Sequence, residues 1–238
     1  EIDINTRAIY LETISNPNAD IYDYEDIADV AHRHSIPLIV DNTIATPYLF
    51  RPFENGADVI IYSATKGIAG HGNVLAGLVV ESGKFKYSKE KYPQFYRKLF
   101  KIRDKSEKPR SIYEAKPDAP LSLGLKTYYL SFLGAALDPF AAFLVLQGLD
   151  TVSERLKKES ENAEKIVKFL DRRKEVLWVR YPSARLSQYH ELQEKYFPKG
   201  AGPVFTFGFM GDREQLDRVF RALKVFSYHV NIGDVRSI

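Results

Sequence analysis

The 238-residue chain has no cysteine, one methionine and one tryptophan, and the first of these shortages removes whole classes of structure. Without cysteine there is no disulfide and no thiolate metal site, a usage compatible with a reducing cytoplasm. No apolar run approaches the ~20 residues that a membrane-spanning helix needs, and no stretch has the pattern of a signal peptide. The net charge is only +3, with 34 basic against 31 acidic residues and no long basic block. Neither nucleic acid nor a membrane surface is therefore an expected partner. A chain that is 45% hydrophobic and 27% charged has the composition of a globular protein, long enough for one large domain or one and a half. The single methionine among many Lys and Glu gives a mild thermophilic cast.

What is present is an alternation of strand and helix signals. Residues 7–13 read as a strand, 14–20 as a turn broken at Asn16-Pro17, and 23–34 as a helix with an apolar stripe at Ile27, Ala28, Val30 and Ala31. A second strand over 37–40 ends in Asp41-Asn42-Thr43, 47–55 is loop or short helix, a third strand begins at Val59, and a fourth covers 78–80. This order predicts an α/β fold, a largely parallel sheet covered on both faces, with ligands collecting at the carboxyl ends of its strands. Asn16, Asp41 and the stretch from Ser63 to Lys66 all follow such an end.

The basic and aromatic stretch 84–116 predicts a long insertion over the site, either a solvated excursion or a lid or partner contact. A short helix over 139–148 and a long amphipathic helix over 151–173 come next. Strand 176–180, helix 188–195, strand 204–209, helix 213–223 and a last strand over 225–232 then make a small α+β unit. The expected division is a large unit over 1–150, a linking helix over 151–174 and a small unit over 175–238.

The most informative stretch is D-V-I-I-Y-S-A-T-K-G-I-A-G-H-G-N-V-L-A-G over residues 58–77. A buried strand delivers Lys66, flanked by the hydroxyl residues Ser63 and Thr65 and followed by Gly67, Gly70 and Gly72. A phosphate loop of the nucleotide-hydrolysing kind needs its glycines before the lysine, and the dinucleotide pattern fails at Leu75. Read singly, Lys66 is a solvated charge and Asp41 a helix cap or structural ion pair. Together, a carboxylate able to face a protonated ring nitrogen and a lysine able to form an imine describe pyridoxal phosphate, with Ser63 and Thr65 donating to its phosphate.

The pieces Asp41-Asn-Thr, Pro47-Tyr-Leu, Gly56-Ala-Asp58, Tyr62-Ser-Ala-Thr-Lys66 and Gly70-His-Gly72 resemble the cysteine/methionine-metabolism family of pyridoxal phosphate enzymes. Glu12-Thr-Ile-Ser-Asn16-Pro17, Leu133-Gly-Ala-Ala-Leu-Asp-Pro139, Gln147-Gly-Leu-Asp-Thr151 and Gly233-Asp-Val-Arg-Ser237 extend the resemblance over nearly the whole chain. It implies an aspartate-aminotransferase-like fold with a smaller C-terminal α+β domain. It also implies Lys66 as the lysine that carries the cofactor and shuttles protons, and Asp41 as the partner of the ring nitrogen. Ser63 and Thr65 become phosphate ligands, Asn16 a neighbour of the ring hydroxyl and the substrate carboxylate, and Ser237 a second carboxylate neighbour. Thr43 would pack under the ring, and His71 shapes the glycine-rich loop rather than acting as a base.

Residues 84–130, 128–142 and 199–207 resemble most the O-acetylhomoserine sulfhydrylase branch. That branch implies replacement of acetate on O-acetylhomoserine by sulfide or a thiol, in a cytoplasmic homo-oligomer, a dimer of dimers. A methionine or cystathionine gamma-lyase is the alternative within the family, and an inactive, cofactor-free binding module the alternative outside it. The family's remaining site pieces are expected before Glu1 and after Ile238, so the chain is expected to carry part of an active site.

Overall fold

The structure, a computed structural model, describes residues 2–103 and 108–237. At its centre is a four-stranded sheet in the order β1 (Ile9–Glu12), β2 (Leu38–Asp41), β3 (Val59–Ser63) and β4 (Gly77–Glu81). The first three strands are parallel, with Glu12 opposite Asp41 and Asp41 opposite Ile61, so their carboxyl ends line up. β4 returns antiparallel with Ser63 opposite Gly77, which leaves the loop 64–76 standing at that same edge.

Helix α1 (Tyr24–Arg33) covers β2. Asp23 caps it by accepting from the Asp26 N–H, and acids occupy its first turn, as the helix dipole favours. Its buried residues Tyr24, Ala28 and Ala31 fall on one stripe. Ala28 and Ala31 pack with Ile36, Leu38, Val40 and Ala57. The short helix α2 (Thr46–Leu49) follows β2 and leads into a larger aromatic core. There the rings of Tyr24 and Phe50 stand 4.6 Å apart, with Tyr196 and Phe197 4.9 and 5.2 Å from Tyr24 and Phe50 respectively. Each such ring contributes on the order of 1.5–3 kcal/mol by leaving water, so this core fastens the C-terminal part of the chain onto the sheet.

The insertion is placed differently from expectation. Strands β5 (Lys98–Arg103) and β6 (Pro109–Ser111) pair as a hairpin, with helices α3 (Ile112–Ala115), α4 (Pro120–Gly124) and α5 (Ser131–Leu133) after it. Tyr87, Tyr92, Phe95 and Ile112 give this segment its own buried cluster. Its anchors are the Tyr92 hydroxyl on Arg7 O (2.7 Å), Lys91 Nζ on His34 O, and Glu81 accepting from the N–H of Leu121 and Ser122. Arg7 and His34 precede β1 and β2, and Glu81 ends the antiparallel β4. The segment therefore covers the amino-terminal edge of the sheet, opposite the lysine, and is no lid. Its aromatic residues, spaced without period, gave no sign in the sequence of this buried cluster or of the end of the sheet it packs against.

Helix α6 (Pro139–Asp150) starts on Asp138, which accepts from the N–H groups of Phe140 and Ala141. Helix α7 (Val152–Leu170) buries Leu156, Ser160, Ala163 and Val167 along one stripe. Strands β7 (Val176–Arg180) and β8 (Thr206–Phe209) pair antiparallel, with helices α8 (His190–Tyr196) and α9 (Arg213–Ala222) alongside in sequence. The last expected strand, 225–232, does not form. A strand needs a neighbouring strand for its N–H and C=O groups, and among the described residues none pairs with this one, which makes one backbone bond, from the Ser227 N–H to Ser237 O. Val225, Tyr228 and Val230 are exposed instead, and the chain crosses over to the lysine loop.

Candidate active site

Three strand ends and two loops build the site. β2 ends in Asp41, half-buried, whose Oδ1 accepts from the Thr43 N–H (3.0 Å) and whose Oδ2 accepts from the Tyr10 hydroxyl (3.1 Å). Partial burial, and then Asp41 beside it, pushes the Tyr10 hydroxyl up to about 12, so it stays a neutral donor. The turn after Asp41 is held from below by Asn42, fully buried, whose Nδ2 donates to Thr46 O and Phe50 O while its Oδ1 accepts from Thr13.

Thr43 joins this turn to the next strand, its Oγ1 accepting from the Ser63 N–H at 2.8 Å. Beyond β3, the Thr65 hydroxyl accepts from the Ala76 N–H (2.9 Å) and donates weakly to Ala76 O (3.3 Å). One lone pair is thus occupied, and the proton is held only by the long bond to Ala76 O, from which it can turn to another acceptor. Lys66 Nζ donates to Asn231 Oδ1 at 2.6 Å. Behind Lys66, Gly233 lies so close that a Cβ on it would stand 2.6 Å from Gly67 N and 3.0 Å from the Lys66 carbonyl carbon. The Val235 N–H donates to Gly70 O (2.9 Å), completing a strap of residues 231–235 across the loop.

The structure thus brings Asp41, Thr43, Ser63, Thr65 and Lys66 to one sheet edge. Asn16 is exposed in the turn after β1, its N–H on Glu12 Oε2 (2.9 Å) and its bond to Pro17 cis. Ser237 is exposed on the wall of a cavity of about 420 Å³, which it shares with Pro17, Glu159, Asn162, Thr206 and Asn231. Lys66, Asp41, Ser63 and Thr65 do not line that cavity. His71 is exposed, and its Nδ1 sits 2.6 Å from Ala69 O, a contact within its own loop.

Several residues of the site carry no motif of their own. Asn231 stands two residues outside the Gly233–Ser237 match, and only the crossing of the strap puts it on Lys66. Tyr10 reads as a strand aromatic. Arg155 reads as one more cation on a charged helix, although its position beside Leu156 on the buried stripe was a usable signal. Burial lowers the Arg155 guanidinium from its ordinary value, opposed by Glu159. Burial raises the Glu159 carboxyl, with Arg155 opposing and Asp234 adding to the rise. Glu159 Oε2 has no hydrogen-bond partner among the described residues.

The donor set fits a pyridine ring bearing a phosphate. Asp41 is an acceptor fixed at the strand end, and the Ser63 and Thr65 hydroxyls are neutral donors beside a lysine amine. Among the described residues no cluster of His, Asp or Glu suits a metal ion. Comparison with known proteins agrees with this chemistry. The sequence pattern described as Cys/Met metabolism PLP-dependent enzyme matches residues 1–238. Homocysteine synthase of Schizosaccharomyces pombe is 37% identical, over 100% of this chain and 55% of that protein. O-acetyl-L-homoserine sulfhydrylase of Corynebacterium glutamicum is 39% identical, over 98% of this chain and 53% of that protein. A crystal structure of a putative O-acetylhomoserine (thiol)-lyase from Campylobacter jejuni, which carries a pyridoxyl-lysine monophosphate, matches with a TM-score of 0.89. It is 35% identical, over 99% of this chain and 57% of that one. The chain spans about half the length of the curated relatives it matches.

Proposed function

The chain belongs to the pyridoxal phosphate-dependent enzymes of cysteine and methionine metabolism, and from that premise we propose that it carries the cofactor-holding half of an O-acetylhomoserine sulfhydrylase. The reaction is gamma-replacement. The bond from Cγ of O-acetyl-L-homoserine to the acetyl oxygen breaks, acetate leaves, and the sulfur of sulfide or a thiol bonds to Cγ, giving homocysteine or methionine. The observation that carries this reading is Lys66, its amine delivered by β3 to the sheet edge at which β2 ends in Asp41.

Pyridoxal phosphate, when bound, supplies an electron sink for the charge that develops at the substrate Cα. Lys66 is the residue that would hold it covalently, Asp41 would accept from its ring N–H, and Ser63 and Thr65 would donate to its phosphate. The Lys66 amine would be the base that takes the proton from Cα, and it would stand where it could move a second one at Cβ. Asn231, which accepts from the Lys66 amine, keeps that amine turned toward the edge rather than into solvent. Asn16 and Ser237 are proposed for the substrate carboxylate, from the turn after β1 and the far end of the strap. Residues 1–150 form the cofactor unit in this reading, 151–174 the link and 175–238 part of the small unit.

Partners follow from the same reading: an amino-acid substrate, sulfide or a thiol, and further copies of the chain. Helix α6 is apolar nearly all round yet exposes Phe140, Phe143, Leu146 and Leu149. Such a helix suits burial in a homo-oligomer, a dimer of dimers. No helix among the described residues is long and apolar enough to cross a membrane, and a cytoplasmic location belongs to the proposal.

The test uses the full-length protein with pyridoxal phosphate. Borohydride should fix the cofactor on Lys66, and homocysteine should form from O-acetylhomoserine plus sulfide. Fixation on another lysine would overturn the site. Release of 2-oxobutyrate from methionine or cystathionine without added thiol, and no homocysteine from sulfide, would replace the sulfhydrylase by a gamma-lyase.

A further inference from the structure

The lysine stands in a short helical turn, and the way that turn ends is informative. The Ala69 N–H donates to Ala64 O (2.9 Å) and the Gly70 N–H to Lys66 O (2.8 Å). Gly70 then takes a φ of +71°, a left-handed value that stops the helix. The carbonyls of Gly67 and Ile68 are left without the N–H groups a longer helix would have supplied.

Arg155 of α7 takes their place. Its Nη1 donates to Gly67 O (2.7 Å) and its Nη2 to Ile68 O (3.0 Å). The same Nη2 reaches Gly148 O in the last turn of α6 (2.6 Å), and Nε donates to Thr151 Oγ1 (3.1 Å). One planar fork therefore ties the lysine turn to the junction of α6 and α7. Two glycines make room for it. A Cβ on Gly70 would collide with the guanidinium, and a Cβ on Gly148 would collide with the Ala69 backbone.

We propose that Arg155 is a positioning residue for Lys66: through the carbonyls of Gly67 and Ile68 it fixes where the lysine's main chain, and so its amine, stands relative to Asp41. β3 alone fixes the chain only as far as Ser63, its last residue. The next three residues leave the sheet; Thr65 is tied to Ala76 and Gly70 O to the Val235 N–H, and between those ties the guanidinium holds the carbonyls of Gly67 and Ile68. A lysine at 155 would keep the charge but not the fork, since one ammonium cannot hold three carbonyls in those directions. This inference rests on the reading of Lys66 as the reactive amine and adds the group that aims it.

The test compares full-length wild type, R155K and R155M, with R172K at an exposed site as control. In R155K, amide hydrogen exchange at Ala69 and Gly70 should speed up by about tenfold or more while β1 and β2 keep their protection. Borohydride-fixed labelling of Lys66 by pyridoxal phosphate should slow by about 10–100-fold, as for a reacting group displaced by about 1 Å. Turnover should fall with it while KM for the amino-acid substrate stays within about twofold. R155M should show the same pattern more strongly, and if it fails to fold R155K decides. Unchanged exchange at Ala69 and Gly70 overturns the inference. So does faster exchange with labelling at the wild-type rate, which would make Arg155 a fold contact only. Labelling of a different lysine in the wild type defeats the reading of Lys66 and this inference with it, and the exchange data tell the two failures apart.

Discussion

Gly148→Ala sets helix propensity against tertiary packing. Gly148 lies inside α6, where alanine is better than glycine by about 0.8–1 kcal/mol. Against that, the new Cβ would stand 2.6 Å from Ala69 Cα and 2.7 Å from its carbonyl carbon. Both are backbone atoms, so no side chain can swing away. The Ala69 carbonyl oxygen is nearer still, so the contact must open by about 1 Å or more to reach the 3.4 Å of ordinary packing. Overpacking of this kind costs about 1–3 kcal/mol, which leaves a net loss of up to about 2 kcal/mol after the helix gain.

The larger effect should be on rate. Ala69 is in the turn that holds Lys66, and a shift approaching 1 Å there should lower kcat for the proposed gamma-replacement by up to about a hundredfold. Urea unfolding and a sulfide-dependent homocysteine assay on the full-length protein measure the two quantities. Gly134→Ala is the control, because Gly134 has a φ of +68° but open space around it. It should cost about 1–2 kcal/mol of strain and leave the rate alone. A G148A protein that is more stable than wild type and fully active would refute the argument that this close approach locates the lysine.

Other perturbations separate the parts of the site. Asp41→Asn keeps size and the Thr43 contact but removes the charge. Borohydride should still fix the cofactor on Lys66 while turnover drops by about a hundredfold or more, and undiminished turnover would remove Asp41 from the site. Asn42→Ala leaves the Phe50 carbonyl without its donor in the interior, while Thr46 O keeps the Phe50 N–H and the Thr13 hydroxyl keeps Asp41 O. At about 1–3 kcal/mol for a buried group left unpaired, unfolding should show a loss in that range. Alkaline pH should destabilise the fold. Burial raises Tyr10 and Tyr92 from 10.0 to about 12, and Tyr24 and Tyr181 are raised as well, also chiefly by burial. Their stabilisation is complete below pH 10, where the unfolded chain's phenols are still protonated, and is lost as pH rises through about 12. Urea midpoints that hold steady or rise over that interval would contradict this.

Much of the centre was legible in the chain because its signals are local. β1 and α1 fall within their expected stretches, β2 runs one residue past its own to Asp41, and β3 begins at Val59 as expected, since each is specified by a short run of apolar residues and a cap or breaker beside it. Lys66 and Asp41 were legible for the same reason: parallel strands of matched length deliver their carboxyl ends to one edge, so consecutive strand ends are neighbours. What failed was non-local. Residues 225–232 have the composition of a strand, but strand formation depends on a partner that the segment itself cannot specify. The aromatic insertion read as a solvated excursion or a lid or partner contact over the site, and neither its buried cluster nor the end of the sheet it covers was legible.

The sequence by itself determined the candidate groups of the proposed site, Lys66 and Asp41 with Ser63 and Thr65, because their types and their places at or just beyond strand ends are written in order. Only the tertiary structure decided what holds them. Asn231 reaches Lys66 from 165 residues away, and Arg155 reaches Gly67 from 88. Such contacts depend on where a helix and a returning strap cross the loop, and on the missing Cβ atoms of Gly70, Gly148 and Gly233 that let them come close. No local pattern encodes a crossing, because the residues that meet there are set by packing elsewhere.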